Sequence, residues 1–131
     1  MSVEYTIVKR KFKDSEGNSQ EKFYASGHIS GVTNTKQIAS LIGRSTTLNE
    51  ADIYGALKAL SQTIQSQLQQ GKSVKLDGIG TFSLSLTSKP SNEADKLPHK
   101  SIKVNRICFK ADRELSNEMK NLPVVKAVTS I

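Results

Sequence analysis

The stretch "GKSVKLDGIGTFSLSLTSKP", residues 71–90, places two lysines before a Gly-Ile-Gly step, and then hydroxyl residues alternating with apolar ones. Gly78 and Gly80 permit a tight strand-to-strand connection, a close backbone approach, or both. Period-two alternation from Thr81 onward is that of a half-buried strand. Leu84 and Leu86 are then expected to face a core. Ser83, Ser85 and Thr87 would share the opposite face, with Lys89 continuing the row. Hydroxyls and lysines on one sheet face can donate to phosphate oxygens without reading bases. The same row would equally serve as an ordinary solvated strand face.

Working upstream, "STTLNEADIYGALKALSQTIQSQLQQG" (45–71) is the clearest element. Ile53, Leu57, Leu60, Ile64 and Leu68 step by four, three, four and four, which lays one apolar stripe along a long helix. Thr47 with Glu50 forms a capping box, Asn49 with Asp52 is the alternative start, and Gly71 is the stop. The stripe is longer than a short neighbouring helix covers, so packing against the same helix of another chain is expected. Before it, Asn34 and Gln37 cap a short helix through "TKQIASLIG", with Ile38, Leu41 and Ile42 on its apolar face and Gly43 closing it.

Residues 3–12 ("VEYTIVKRKF") and 20–27 ("QEKFYASG") alternate around the turn cluster "DSEGN", which predicts a hairpin, and "HISGVTN" connects it onward. Downstream, "SVKLD", "TFSLSL" and "SIKVNRICF" read as three strands. Between the last two, "TSKPSNEADKLPHK" is polar, with two prolines and no periodicity, and is either a loop or an arm leaving the sheet. "KADRELSNEMKNL" returns to helical spacing through Ala111, Leu115, Met119 and Leu122, Pro123 ends it, and "VVKAVTSI" is a tail. The order ββ–αα–βββ–α is that of an α+β domain with an antiparallel sheet against helices.

A chain of 131 residues suits one domain, and 36% hydrophobic residues without tryptophan make a lean core that a second subunit would complete. Nineteen Lys and Arg against twelve Asp and Glu give a net charge of +7, which draws polyanions, nucleic acid foremost. Residues 100–131 hold seven Lys/Arg against three Asp/Glu, a surplus of four, and "KRKFK" (9–13) is a second basic run. The single cysteine, Cys108, excludes an internal disulfide and sits in an apolar run as a small buried hydrophobe. His28 and His99 fall in loops without metal-spaced neighbours. No phosphate-binding loop or nucleophile–base constellation is present, so neither an enzyme, nor a metal site, nor a cofactor is expected. No signal peptide or membrane span is read, and the expected location is the cytoplasm.

From Thr33 to Leu122 the chain resembles the bacterial histone-like DNA-binding family, the HU and integration-host-factor group. The resemblance rests on "NTKQIASLIG", the long second helix, "GKSVKLDGIGTF", and "FKADREL" after an arm-length insertion. Gly78, Gly80, Thr81 and Phe82 fit the family's G-x-G-T-F turn, and Phe109, Lys110, Ala111, Arg113 and Leu115 fit its last-helix segment. Residues 1–31 resemble the N-terminal extension of a longer HU-like branch, leaving 32–131 as the HU/IHF-like domain with its arm at about 87–101.

The resemblance implies an IHF-like fold: two N-terminal helices, a three-stranded antiparallel sheet with a β-ribbon arm, and a C-terminal helix, in an intertwined homodimer. It implies Ile53, Leu57, Leu60, Ile64, Leu68 and Phe109 in the dimer core. Non-sequence-specific binding of double-stranded DNA by a nucleoid-associated architectural protein is the implied function. Lys75, Lys89, Lys96, Lys100, Lys103, Arg106, Lys110 and Arg113 are the expected contacts, Lys110 close to the last helix's free amides. One departure stands out. The arm has no arginine, carries Lys89, Lys96 and Lys100 against Glu93 and Asp95, and lacks the family's Arg-Asn-Pro tip. Lysine has no planar fork for a narrow groove, so phosphate contact without intercalation is expected. The rival reading keeps the fold as a protein-interaction module, with the hairpin offering a pairing edge.

Overall fold

A computed structural model describes residues 2–96 and 98–127. Its elements are β1 (Val3–Lys13), β2 (Ser19–Gly27), α1 (Thr35–Ser45), α2 (Glu50–Gln69), β3 (Val74–Leu76), β4 (Gly80–Thr87), β5 (Lys103–Ala111), α3 (Arg113–Lys120) and β6 (Val124–Lys126). They form two compact units: Asn34–Asn117, and the residues up to Thr33 together with those from Glu118 on. The sequence places everything after residue 31 in one domain. The structure instead returns Val124–Lys126 to the hairpin, parallel to Val3–Tyr5, in a sheet ordered β2-β1-β6. Residues 128–131 of that tail lie outside the described residues.

In the unit 34–117, α1 opens with a reciprocal capping box. The Asn34 side chain accepts from the Gln37 N–H, and the Gln37 side chain accepts from the Asn34 N–H, both at 2.9 Å. The helix does not stop at Gly43 but runs on to Ser45. A Cβ at Gly43 would meet Glu50 and Ile53 at 3.8 Å, an ordinary contact, so the helix passes through this glycine without ending there. The cap of α2 is Asn49, whose side chain accepts from the Ala51 N–H at 2.9 Å; it is the alternative start, and not the Thr47–Glu50 box, that forms. At the other end the Lys72 N–H reaches the Gln67 carbonyl (3.2 Å) and the Gly71 N–H reaches that of Leu68 (3.0 Å). That pattern is a Schellman motif, and Gly71, at φ 80°, supplies its left-handed residue.

The sheet β3-β4-β5 is antiparallel, with Val74, Phe82 and Phe109 in one cross-strand row and Leu76, Gly80 and Ala111 in the next. A Cβ at Gly80 would overlap the Lys110 carbonyl oxygen and the Phe109 ring, so glycine is what lets β4 lie against β5 there. Residues directly opposite share a face. Val74, Phe82, Phe109, Leu84 and Ile107 therefore form one apolar face.

Two members of the expected dimer core are satisfied inside the chain: Ile53 is 6% exposed and Leu68 5%. Leu57, Leu60 and Ile64 remain half-buried and, with Phe82, Leu84 and Ile107, line an open apolar hollow of about 680 Å³. Phe109 packs its ring 4.9 Å from that of Phe82 yet stays 51% exposed, and Leu86, expected in a core, is 66% exposed. Within a single chain, the apolar face of the sheet is left half-covered.

The connection from β4 to β5 is not a β-ribbon. Strand pairing ends at Thr87 and Lys103, and the segment folds into two short 3-10 turns, Ala94–Lys96 and His99–Ser101. Pro90 and Pro98 have no N–H for a ladder, and no alternation gives the segment a face to bury. Ser101 organises its base: its Oγ donates to the Pro98 carbonyl (2.6 Å) and accepts from the Lys89 N–H (3.1 Å). Among the described residues, no helix is long and apolar enough to cross a membrane.

Candidate nucleic-acid interface

The face of β3-β4-β5 turned away from the apolar one carries the cations. Lys75 is opposite Thr81, which is opposite Lys110; Ser83 is opposite Cys108, Ser85 opposite Arg106, and Thr87 opposite Lys103. Each of these three β5 cations has a hydroxyl residue as its cross-strand neighbour. A β-bulge makes this possible. Ser85 opposes Arg106 and Leu86 opposes Val104, so Asn105 is the extra residue that brings Lys103 back to the face of Arg106. Strict alternation would have put Lys103 on the apolar face.

Each end of this face has a hollow. At one, Lys75, Thr81, Lys110 and Arg113 surround a cavity of about 230 Å³ that Asp112 also lines. The Asp112 carboxylate is engaged, accepting from the Gly78 N–H at 2.8 Å, and three cations against one carboxylate leave the hollow positive. Lys110 itself belongs to β5, three residues before α3, and not to the helix start. At the other end, Lys89, Lys100 and Lys103 with Thr87, Ser88 and Ser101 line a hollow of about 570 Å³ at the base of the arm. Lys96 stands apart: its Nζ pairs with Glu93 at 3.3 Å.

The structure thus joins seven of the eight expected cations into one tract and leaves Lys96 in a local ion pair. Gly78, Gly80, Thr81 and Phe82 form the turn and strand start that hold Lys75 against Lys110. Cys108 is not the buried hydrophobe expected; it is half-buried on the polar face between Arg106 and Lys110. Sequence reading missed Ser88, Ser101 and the role of Asp112. The signal for the bulge was present: Val104 and Ile107 are three apart where a regular strand needs two.

Residues 1–126 match the family model HU-HIG, described as an HU domain fused to wHTH, Ig, or glycine-rich motif. The chain belongs to the HU-HIG family. The match runs from the hairpin through β6, so both units fall within the HU-HIG pattern. DNA-binding protein HRL18 of Rhizobium leguminosarum is 35% identical over 52 residues, 40% of this chain and 57% of that protein; its Rhizobium radiobacter counterpart matches equally. The alignment thus spans little more than half of these relatives. A Bacteroides vulgatus ATCC 8482 protein of known structure, with a provisional DNA-binding assignment, covers 95% of this HU-HIG chain. It does so at a TM-score of 0.66 and 8% identity over 47% of its own length, a likeness of fold. The Anabaena HU–DNA cocrystal structure aligns over 69% of this chain and 99% of its own at 17% identity, with a TM-score of 0.49.

Proposed function

We propose that this HU-HIG chain binds double-stranded DNA through its phosphates, without sequence preference, as an architectural protein of the nucleoid in the cytoplasm. The observation that carries the reading is the cross-strand set Thr81–Lys110, Ser85–Arg106 and Thr87–Lys103, running between two lysine-lined hollows. Exposed cations displace counterions from phosphate and hydroxyls add donors, contacts that position a duplex without carrying sequence information. Catalysis has no part in this reading.

The active species is a homodimer. The hollow beneath Leu57, Leu60 and Ile64 is open and apolar, and a second copy of α2 supplies the side chains to fill it. Leu57, Leu60 and Ile64 are already half-buried, so completing their burial contributes only part of the roughly 1.5–3 kcal/mol of a full burial each. In the same reading the hairpin, with Val124–Lys126 returned to it, is an extension of an HU-like body formed by the unit 34–117. DNA is bent less than by arginine-armed relatives, because the arm is a compact loop of lysines and not a ribbon with a wedging tip.

The test is a salt series of duplex affinities for the native chain and for the variant with Lys103, Arg106, Lys110 and Arg113 all changed to Ala. The variant should lose affinity for every sequence alike and flatten the log–log salt slope by about 3–4, near 0.9 per lost phosphate contact. An unaltered slope removes this surface. A native chain with no salt-dependent duplex binding makes the protein-interaction module the better reading.

A further inference from the structure

The duplex reading leaves the hairpin's chemistry unused. Its register sets Thr6 opposite Ser26, Val8 opposite Tyr24, Arg10 opposite Lys22 and Phe12 opposite Gln20, all on one face. Phe12 and Tyr24 meet edge to face with ring centroids 5.6 Å apart, and the Arg10 guanidinium lies 5.7 Å from the Tyr24 centroid. These rings are held in place, yet Phe12 is 43% and Tyr24 40% exposed. Of the hairpin's four carboxylates, Glu4 shares this face and Glu16 lies in the turn. Glu21 is on the opposite face, paired with Lys9 at 2.7 Å, and Asp14 is engaged in the turn by the Glu16 and Asn18 N–H groups. Glu4 is at the far end beside Val125, on the order of 20 Å from Arg10 along the strand.

We propose that this face is a stacking platform for unpaired nucleic-acid bases, with Tyr24 and Phe12 taking base faces and Arg10 and Lys22 the flanking phosphates. Aromatic rings interleaved with cations on an open sheet suit single strands, whose bases offer free π-faces on either side of a charged backbone. A duplex hides those faces. The reverse face carries Lys9, Lys11 and Lys13 against Glu21 beside Phe23, so what sets the platform face apart is not charge but the Phe12–Tyr24–Arg10 cluster that fixes its rings. The shared chemistry is an unpaired base between phosphates, from DNA or from RNA. The site lies wholly within the hairpin unit and does not depend on the duplex surface.

The chain has three tyrosines and no tryptophan, so Tyr5→Phe with Tyr54→Phe leaves Tyr24 as the sole tyrosine emitter. That protein, also carrying the four alanine changes on the sheet face, is titrated with a thymidylate dodecamer, a uridylate dodecamer, a blunt duplex and polyphosphate. Both single strands should quench Tyr24 emission, while duplex and base-free polyphosphate should not. Binding by the deoxy strand alone would assign the site to DNA, and by the ribo strand alone to RNA. Tyr24→Leu should weaken single-strand affinity, followed by anisotropy of labelled oligonucleotides, on the order of ten-fold. Tyr24→Phe, which keeps the ring, should restore it, and circular dichroism of both variants checks the fold. Absence of quenching, equal quenching by polyphosphate, or equal affinity of the Leu and Phe variants would overturn the proposal. Loss of the duplex reading would leave these outcomes unchanged, so the two fail separately.

Discussion

The backbone N–H of Gly78 donates to the Asp112 carboxylate at 2.8 Å, and the Asp112 N–H donates to the Ile79 carbonyl at 2.9 Å. Residues 34 apart in sequence thereby tie the β3–β4 turn to the start of α3. This double contact fixes the hollow of Lys75, Lys110 and Arg113. Asp112→Ala should lower stability by about 1–2 kcal/mol, seen as a reduced denaturant midpoint at unchanged m-value. It also removes the one carboxylate from that hollow. DNA affinity of the folded protein should therefore rise or hold, the reverse of what a stability-driven loss would give.

Gly80 tests the sheet directly. A methyl group there must displace the Lys110 carbonyl or the Phe109 ring, so Gly80→Ala should cost about 2–3 kcal/mol. Gly31→Ala is the control, since its site is open and its backbone φ is unexceptional; chemical denaturation of the two variants makes the comparison.

Lys96 and Arg106 separate a cation of the tract from one outside it. Lys96 is held by Glu93, so Lys96→Ala should leave duplex affinity unchanged. Arg106→Ala should weaken binding to all sequences and reduce the salt slope by about 1, as measured by anisotropy across salt concentrations.

The apolar hollow predicts the assembly. Leu60→Asp places a charge among Leu57, Ile64 and Phe82, where an unpaired carboxylate is costly. Sedimentation should show a dimer for the native chain and a monomer for the variant, and only the native melting temperature should rise with concentration. Leu60→Met, which keeps volume and polarity, should remain dimeric.

The helices and strands were legible because their signals are local. Asn34 and Gln37 announce a capping box that forms, and the Ile53–Leu68 stripe runs along a single helix. What was not legible depends on partners distant in sequence. Gly43 looks like a stop, yet α1 runs past it to Ser45 where it lies against α2, and Val124–Lys126 becomes a strand only by pairing with β1. The cationic face was half legible. Thr81 to Thr87 mark it on β4, but on β5 the bulge at Asn105 decides which face Lys103 takes. The arm misled for a different reason: a family resemblance implies a ribbon, while Pro90 and Pro98 deny it the backbone donors.

Cys108, the chain's single cysteine, lies between Arg106 and Lys110 on β5 and opposite Ser83, in the middle of the face assigned to DNA. The rate of its alkylation by an uncharged maleimide, with and without saturating duplex, reads that face without any substitution. Bound DNA should slow the reaction several-fold at low salt, and the protection should vanish as salt screens the contacts. An alkylation rate that stays the same with duplex demonstrably bound would place the DNA elsewhere and contradict the account.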